Sequence, residues 1–210
     1  MRRLRDSKEV FADPENYWRL QGVPLIAGVD ESGRGPLAGP VVAAAVILPP
    51  GLTLPGLKDS KRLSPEARAA LDEIIRSQAL AFAVFEVGAR QIERQGILAA
   101  SLQAMARAIQ ALNPVPEMVL VDGHLPLPLA YPQQPVIRGD DRCPSIAAAS
   151  ILAKVHRDRR METLHRLYPQ YNFAQHKGYA TSEHLEALRS WGPCELHRRT
   201  FKGVKEWVGK

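Results

Sequence analysis

Apolar residues follow one another along the chain either in short uninterrupted runs or with helical spacing. The uninterrupted runs predict buried strands, because a strand covered on both faces needs no polar side. These runs are Leu25–Val29, Pro40–Leu48 and Met118–Val121, with a shorter one at Val136–Ile137. Phe82–Val87, which contains Glu86, is predicted as a further strand. A glycine-containing break at Ser32–Gly35 predicts a tight turn between the first two strands.

Helical spacing and helix-start residues predict the remaining elements. Ser64 followed by Pro65 is a typical helix start, because serine caps free amides and proline is tolerated in the first turn. The predicted helices cover Pro65 to about Ser77, Ile97–Leu112, Ile146 to about Leu167, and Thr181 or Ser182 to Trp191. A proline-rich stretch, Pro126–Pro135, predicts an ordered loop.

Strands come first, helices are interleaved and then dominate, which predicts an α/β or α+β domain with a mixed sheet and a helical C-terminal part. With 210 residues and 45% hydrophobic content, the chain is suited to one core. We therefore predict a polar N-terminal extension over residues 1–23 and a single domain over 24–210. Its helical C-terminal region covers about 181–210.

Charge and cysteine content narrow the class of protein. A net charge of +6 favours a polyanionic partner such as nucleic acid, although it also fits a merely soluble basic protein. Cys143 and Cys194 lie far apart without metal-ligand spacing, which indicates reduced thiols. The chain start lacks the apolar segment of a secretory signal, and no run is long enough to span a membrane. We expect a cytoplasmic protein.

Acidic residues stand where predicted strands end. Asp30 and Glu31 follow the first apolar run, and Asp122 follows the run ending at Val121. Two adjacent acids in an apolar context are costly unless a cation receives them. If the two strands are neighbours, these acids converge at one end of the sheet. Oxygen ligands of this kind suit Mg²⁺ or Mn²⁺.

A fourth acid, Asp140 or Asp141, precedes the longest predicted helix. Each acid also has a structural interpretation: Asp122 with Gly123 resembles an ordinary turn, and Asp140 or Asp141 could cap the helix. Together, four carboxylates around two divalent ions fit phosphodiester hydrolysis, in which one ion activates water and the other stabilises the leaving oxygen.

Several segments together resemble bacterial ribonuclease HII. They are AGVDESGRGPLAGPVVAAAVIL, LKDSKRLS, VLVDG, GD, SIAAASILAKVHRDR, FAQHKGYATSEH and HRRTF, and they extend in order from about Gly28 to Phe201. The resemblance implies a ribonuclease H-like fold and hydrolysis of RNA in RNA/DNA hybrids. It also implies cleavage 5′ of single ribonucleotides in duplex DNA, leaving 3′-hydroxyl and 5′-phosphate ends.

The resemblance also implies roles for individual residues. Metal ligands and active-site carboxylates would be Asp30, Glu31, Asp122 and Asp140, with Asp140 favoured over Asp141, which stands where relatives usually have serine. Substrate-binding residues would be Gly33, Arg34, Gly35, Lys61, Lys154 and Tyr179. The backbone of the Gly33–Gly35 turn would recognise the 2′-hydroxyl, and Tyr179 would stack on a sugar of the DNA side.

Alternatives remain at this level. Gly33–Gly35 is also a common kind of tight turn, and Tyr179 could be a half-buried aromatic. The basic second half of the long helix, His156 to Arg160, fits a solvated face as well as a phosphate track. At the level of function, the alternatives are another metal nuclease of the same fold, such as a resolvase or a general ribonuclease H, and a non-enzymatic nucleic-acid-binding module. We expect RNA/DNA hybrids and ribonucleotide-containing duplex DNA as partners, and a monomer.

Overall fold

A computed structural model of the chain describes residues 13–57 and 63–209. Five strands form one mixed sheet in the order β3-β2-β1-β4-β5. The strands are β1 (Ile26–Ser32), β2 (Val41–Ile47), β3 (Ala81–Val87), β4 (Met118–Asp122) and β5 (Gln133–Val136). β1, β2 and β3 pair antiparallel, whereas β1, β4 and β5 pair parallel. The predicted mixed sheet is confirmed.

Seven α-helices are described in these ranges. They are α1 (Pro14–Leu20), α2 (Pro65–Gln78), α3 (Ala89–Gln95), α4 (Ile97–Gln110), α5 (Pro144–Leu167), α6 (Phe173–His176) and α7 (Ser182–Trp191). The predicted caps are confirmed: Ser64 accepts a hydrogen bond from the Ala67 amide, and Thr181 accepts one from the His184 amide. Within the described residues, no helix has the length and apolar content needed to cross a bilayer.

The sheet separates two apolar layers. One face packs against α4, with Val29 and Val121 in its core, and the other packs against α5 and α2. Gly28 lies where α5 crosses β1, and a Cβ there would overlap the main chain of Ser145 and Ile146. The close crossing therefore requires glycine at this position and brings α5 next to the end of β1 that carries the acids.

Some elements differ from their prediction. The proline-rich stretch does not remain a loop to Pro135, because its last residues form β5 along the edge of β4. α3 was not predicted, and α5 begins at Pro144 instead of Ile146. Edge strand β5 contains polar residues and a proline, so its pairing with β4 is not visible in local hydropathy.

The predicted N-terminal extension is described from Asp13 onward. In α1, Glu15 is buried, and its Oε2 accepts hydrogen bonds from the Ser145 amide at 2.9 Å and from its hydroxyl at 2.7 Å. Trp18 donates from its indole nitrogen to Gln134 Oε1 at 2.6 Å. α1 thus packs on the start of α5 and on β5, and its carboxylate satisfies the first turn of α5.

Candidate active site

The carboxyl ends of β1 and β4 place Asp30 beside Asp122. β1 and β4 are parallel with Val29 opposite Val121, so the aspartates that follow stand at the same end of the sheet. Asp30 lies four residues after Ile26, and Asp122 lies two residues after Leu120. Both of these core residues pack in one cluster with Ile146 of α5, so the two carboxylates lie on the same face of the sheet. The prediction that these acidic strand ends are neighbours is confirmed.

Asp30 is buried and lies close to two other carboxylates. It is 7% exposed, its Oδ1 accepts a hydrogen bond from the Glu31 amide at 2.7 Å, and the hydroxyl of Ser150 on α5 donates another. Burial, followed by repulsion from Asp122 and Glu31, raises the pKa of Asp30 well above its ordinary value. A cation bound here would remove that repulsion.

Glu31 is the next residue of β1, and its side chain leaves the strand on the opposite face. Burial raises the pKa of Glu31, the guanidinium of Arg34 partly offsets this, and Asp122 raises it further. Arg34 Nη1 lies 3.3 Å from Glu31 Oε1. The turn predicted to bind substrate is therefore electrostatically connected to the carboxylates.

Asp140 lies in a short 3-10 turn, Gly139–Asp141, immediately before α5. The Gly139 amide donates to Asp122 Oδ1 at 2.7 Å, which joins this turn to the end of β4. Asp140 is buried, 7% exposed, whereas Asp141 pairs with Arg138 at 2.8 Å and is partly exposed. The geometry thus favours Asp140 over Asp141 as the fourth acid of this end of the sheet.

These four acids, Asp30, Glu31, Asp122 and Asp140, are called the acidic end below. Across residues 13–57 and 63–209, no three Asp, Glu, His or Cys side chains are close enough to be ligands of one ion. Asp30 and Asp122 instead accept hydrogen bonds from main-chain amides. Hard oxygen donors that repel one another fit Mg²⁺ or Mn²⁺, and binding requires the side chains to draw in around the ion.

The turn at Gly33–Gly35 is held from inside the protein by Arg198. Its guanidinium donates to the carbonyl oxygens of Gly33 at 2.6 Å, Arg34 at 2.8 Å and Gly39 at 3.0 Å. Gly33 has φ +95°, a left-handed conformation that favours glycine. The turn is therefore a rigid element whose carbonyl groups are fixed by a buried cation.

Arg157 on α5 supports the same loop from the other side. It donates to the carbonyl oxygens of Pro40 at 3.0 Å and Ala38 at 3.2 Å. Both Arg157 and Arg198 are fully buried. Burial, together with the neighbouring charge of Arg157, lowers the pKa of Arg198 to about 9, which still leaves it protonated at neutral pH. We call Arg157 and Arg198 the buried arginine pair.

Tyr179 lies against this turn. A Cβ built on Gly35 would be 3.9 Å from Tyr179 Cε1, and the Arg157 guanidinium carbon lies 5.8 Å from the ring centroid. The ring is part of a residue that is 44% exposed. The structure therefore brings the two predicted sugar-binding elements together and leaves Tyr179 partly exposed.

The two predicted lysines have different outcomes. Lys154 lies one helical turn after Ser150 on α5 and pairs with Asp158 at 2.5 Å, so it stands on the helix face next to Asp30. Lys61 falls outside the described residues.

The basic second half of α5 is partly exposed and carries ion pairs with acids of the protein itself. His156 lies 2.6 Å from Glu86, Arg160 lies 3.4 Å from the same carboxylate, and Arg159 pairs with Asp72 at 3.1 Å. Arg157 points into the core. Most of this positive charge is thus matched by acids of the protein itself.

Sequence reasoning missed the two buried arginines and Ser150. One signal was available for Arg157: it interrupts an apolar stripe of α5 at four-residue spacing, namely Ala149, Ala153, Met161. A charge in such a stripe indicates a buried partner. Arg198 and Ser150 gave no comparable signal, because their partners lie far away in the chain.

Comparison with known proteins is consistent with this geometry. The family model described as Ribonuclease HII matches residues 27–204. A ribonuclease HII of Geobacillus thermodenitrificans (strain NG80-2) is 56% identical over 206 residues, which is 98% of this chain and 76% of that protein. The crystal structure of ribonuclease H2 from Pyrococcus horikoshii OT3 superposes with a TM-score of 0.75 at 25% identity, covering 86% of this chain and 95% of that chain. Bst-RNase HIII in complex with Mn²⁺ shares the fold, with a TM-score of 0.68 at 22% identity over 88% of this chain and 69% of that one.

Proposed function

The chain belongs to the ribonuclease HII family, and from that premise we propose that it cleaves 5′ of single ribonucleotides embedded in duplex DNA, leaving 3′-hydroxyl and 5′-phosphate ends. As a member of this family it is a divalent-metal-dependent endonuclease that hydrolyses the RNA strand of RNA/DNA hybrids. The alternative of a non-enzymatic binding module is thereby set aside. The proposal concerns the finer choice of substrate and the residues responsible.

One observation supports that choice most strongly: Tyr179 lies against the Gly33–Gly35 turn. A main-chain turn can approach a ribose closely and hydrogen-bond its 2′-hydroxyl, the group that distinguishes RNA from DNA. An aromatic ring next to it can pack on the neighbouring deoxyribose, which has no such group. A turn that recognises ribose, next to a ring that packs on a sugar without needing the 2′-hydroxyl, suits a junction between one ribonucleotide and DNA.

We assign Asp30, Glu31, Asp122 and Asp140 to metal binding. When bound, Mg²⁺ or Mn²⁺ would supply activation of the attacking water and stabilisation of the leaving 3′-oxygen. The related Bst-RNase HIII binds Mn²⁺. The protein's own contribution is geometric: β1 and β4 fix two carboxylates, Ser150 orients Asp30, and the buried arginine pair fixes the turn.

The remaining residues would act on the nucleic-acid backbone. Lys154 and Lys61 are proposed to contact phosphates, which fixes position on the duplex without reading sequence. Arg34, 52% exposed along its side chain and 3.3 Å from Glu31, can approach the phosphate next to the scissile bond.

Two broader proposals follow from the same considerations. All proposed site residues come from one chain, so we propose that the monomer is active. We also propose that the protein works in the cytoplasm, where its DNA substrate lies and where the free thiols of Cys143 and Cys194 stay reduced. Sedimentation at working concentrations and fractionation of cells test these two points.

The substrate proposal is tested with three labelled duplexes: all DNA, DNA with one ribonucleotide, and a continuous RNA/DNA hybrid. With Mn²⁺ or Mg²⁺, we expect cleavage of the second at the 5′ side of the ribonucleotide and of the third at many positions, with the all-DNA duplex intact. End analysis of the products should give 3′-hydroxyl and 5′-phosphate groups. Cleavage of the continuous hybrid alone would instead indicate a general ribonuclease H.

A further inference from the structure

Three histidines of the C-terminal region are buried and take no part in the function proposed above. His176 is 7% exposed, His184 is fully buried, and His197 is 1% exposed. They surround the main chain that carries Tyr179. We call them the histidine cluster. An apolar side chain would fill such a position at lower cost, so the presence of imidazoles calls for a physical reason.

The hydrogen bonds of the cluster define which ring nitrogens carry protons. The Cys194 amide donates to His197 Nδ1 at 3.0 Å, so this nitrogen is an acceptor and a neutral His197 carries its proton on Nε2. His197 Nε2 lies 3.0 Å from His184 Nε2 and donates to it. His184 must then carry its proton on Nδ1, which donates to the Tyr179 carbonyl oxygen at 2.8 Å.

His176 is fixed in a parallel way. The Gly178 amide donates to His176 Nδ1 at 3.1 Å, so Nε2 carries the proton and donates to the Tyr171 carbonyl oxygen at 2.7 Å. The ring stacks on His184 with centroids 4.4 Å apart and an interplanar angle of 15°. The two imidazoles therefore hold the Gly178 amide and the Tyr179 carbonyl oxygen, one on each side of the Gly178–Tyr179 peptide.

Burial keeps the rings neutral. It lowers the pKa of His184 to about 4 and the pKa of His197 to about 3. A neutral imidazole is both a donor and an acceptor, which no apolar or cationic side chain can be. The direction of the whole chain of hydrogen bonds is therefore fixed at neutral pH.

The same segment is joined to the turn that contacts Tyr179. The Leu37 amide donates to the Gly178 carbonyl oxygen at 2.8 Å, and Ala38 forms an antiparallel bridge with His197. Arg198, which holds Gly33, follows His197 directly in the chain. The histidine cluster thus lies between the main chain of Tyr179 and the segment that fixes the turn.

We propose that His184, supported by His197, is a positioning residue that sets the main chain from which the Tyr179 ring projects toward the substrate. The Tyr179 carbonyl oxygen accepts only two described hydrogen bonds, from His184 at 2.8 Å and from the Thr181 amide at 2.9 Å. Loss of the first frees the peptide to rotate, and the half-exposed ring moves with it. The inference rests on the proposed contact between Tyr179 and the sugar.

Two amide substitutions at His184 test the roles of its two ring nitrogens separately. In His184→Asn the amide nitrogen lies near the former Nδ1, so the bond to Tyr179 is kept and the bond from His197 is lost. In His184→Gln the amide lies near the former Nε2, so the reverse holds. With the single-ribonucleotide duplex, we expect His184→Gln to raise KM about tenfold, the worth of one buried hydrogen bond, with kcat within about twofold.

His184→Asn should stay within about threefold of the unaltered protein in both constants. Equal effects of the two substitutions on KM would contradict the inference, because a purely structural role does not distinguish the ends of the ring. Should His184→Gln not fold by circular dichroism, His197→Asn provides the second test. Without the donor to Nε2, the His184 ring is free to carry its proton on Nε2 and then cannot donate to the Tyr179 carbonyl oxygen, whereas the amide of His184→Asn has no such alternative tautomer. His197→Asn should raise KM in the same direction, and an unchanged KM would count against the proposal.

A double substitution tests whether the effect passes through Tyr179. In a Tyr179→Ala background, His184→Gln should cause no further rise in KM, because the ring it positions is absent. A full tenfold rise in that background would overturn the inference. If Tyr179→Ala itself leaves KM unchanged on both the single-ribonucleotide duplex and the continuous hybrid, the proposed role of Tyr179 fails together with this inference. If Tyr179→Ala raises KM and His184→Gln does not, only the positioning role of His184 fails.

Discussion

At the acidic end, burial and mutual repulsion raise the pKa of Asp30, whereas in the buried arginine pair burial lowers the pKa of Arg198 to about 9. Both regions bury like charges next to the same turn. They differ in how the charge is compensated. Arg198 donates to carbonyl oxygens of Gly33, Arg34 and Gly39, so its donors are satisfied within the protein.

The carboxylates, in contrast, raise one another's pKa, and Arg34 offsets only part of this effect for Glu31; an added cation would reduce the repulsion further. This difference separates two kinds of buried charge. A charge whose partners are internal stabilises a scaffold, and a set of like charges that raise one another's pKa indicates a site for a ligand. We therefore propose that the acidic end binds metal ions, whereas the arginine pair fixes the turn beside it.

The largest effect is expected for Asp30→Asn. Asparagine keeps acceptor and hydrogen-bonding capacity next to Ser150 but removes the charge, so cleavage should fall at least about ten-thousandfold while the fold is retained. Because a repelled buried charge is lost, the free energy of unfolding at pH 7 should stay equal or rise. Single-turnover cleavage with Mn²⁺ and denaturant unfolding measure the two quantities. A variant that is unstable as well as inactive would show that the charge of Asp30 stabilises the fold.

Arg198→Met should give the next largest effect, and on stability. It leaves the carbonyl oxygens of Gly33, Arg34 and Gly39 without their donor, which should cost about 4 kcal/mol of unfolding free energy. Urea denaturation measures the loss. Arg199→Met is the matched control, because the adjacent Arg199 is exposed and only its main-chain amide has a described hydrogen bond, to Glu93. Equal stability of the two variants would contradict the assignment of Arg198 to the scaffold.

The dependence of stability on pH should have opposite signs at the histidine cluster and at the acidic end. The folded pKa of His184 is about 4 against an ordinary 6.5, so the unfolded chain protonates first. This contribution is full above about pH 6.5 and falls by about 3 kcal/mol toward pH 4. Asp30 has a raised folded pKa, so its contribution increases as pH falls.

Replacing Asp30 should therefore make the pH dependence of stability that comes from His184 more apparent. In Asp30→Asn, the unfolding free energy should decrease more steeply between pH 6.5 and pH 4 than in the unaltered protein. Thermal and urea unfolding across this window measure the slope. A shallower slope in the variant would mean that the charge of Asp30 is already compensated inside the protein.

The smallest effect is expected for Lys154→Gln. Because Lys154 already pairs with Asp158 at 2.5 Å, its contact with phosphate should be worth about a threefold change in KM. The slope of log Kd for the hybrid against log salt concentration should decrease by about one. Lys205→Gln on the exposed C-terminal segment is the control. An unchanged slope for Lys154→Gln would show that Lys154 pairs only with Asp158 and does not contact phosphate.

Much of the acidic end could be predicted from the sequence because its signals are local. Asp30 and Asp122 each end an apolar run, and the pairing of β1 with β4 brings the two runs together. β1 extends to Ser32 instead of ending at Val29, because antiparallel pairing with β2 continues past the last apolar residue. Side-chain pattern alone does not report such pairing.

The scaffold behind the turn could not be predicted in the same way. Arg198 satisfies carbonyl oxygens more than 150 residues earlier in the chain, and the histidine cluster depends on main-chain groups of Cys194 and Tyr179. Backbone acceptors exist at every residue, so nothing in the sequence marks which of them a buried donor will meet. Edge strand β5 is similar, since it is defined by pairing with β4.

Anomalous diffraction at the manganese edge, from crystals of the full chain soaked in Mn²⁺, would locate the ions. We expect peaks about 2.2 Å from carboxylate oxygens of Asp30, Glu31, Asp122 and Asp140, which draw in around the bound ions. Peaks at other residues, or none at these four carboxylates at saturating Mn²⁺, would contradict the assignment of the acidic end as the metal site of this ribonuclease.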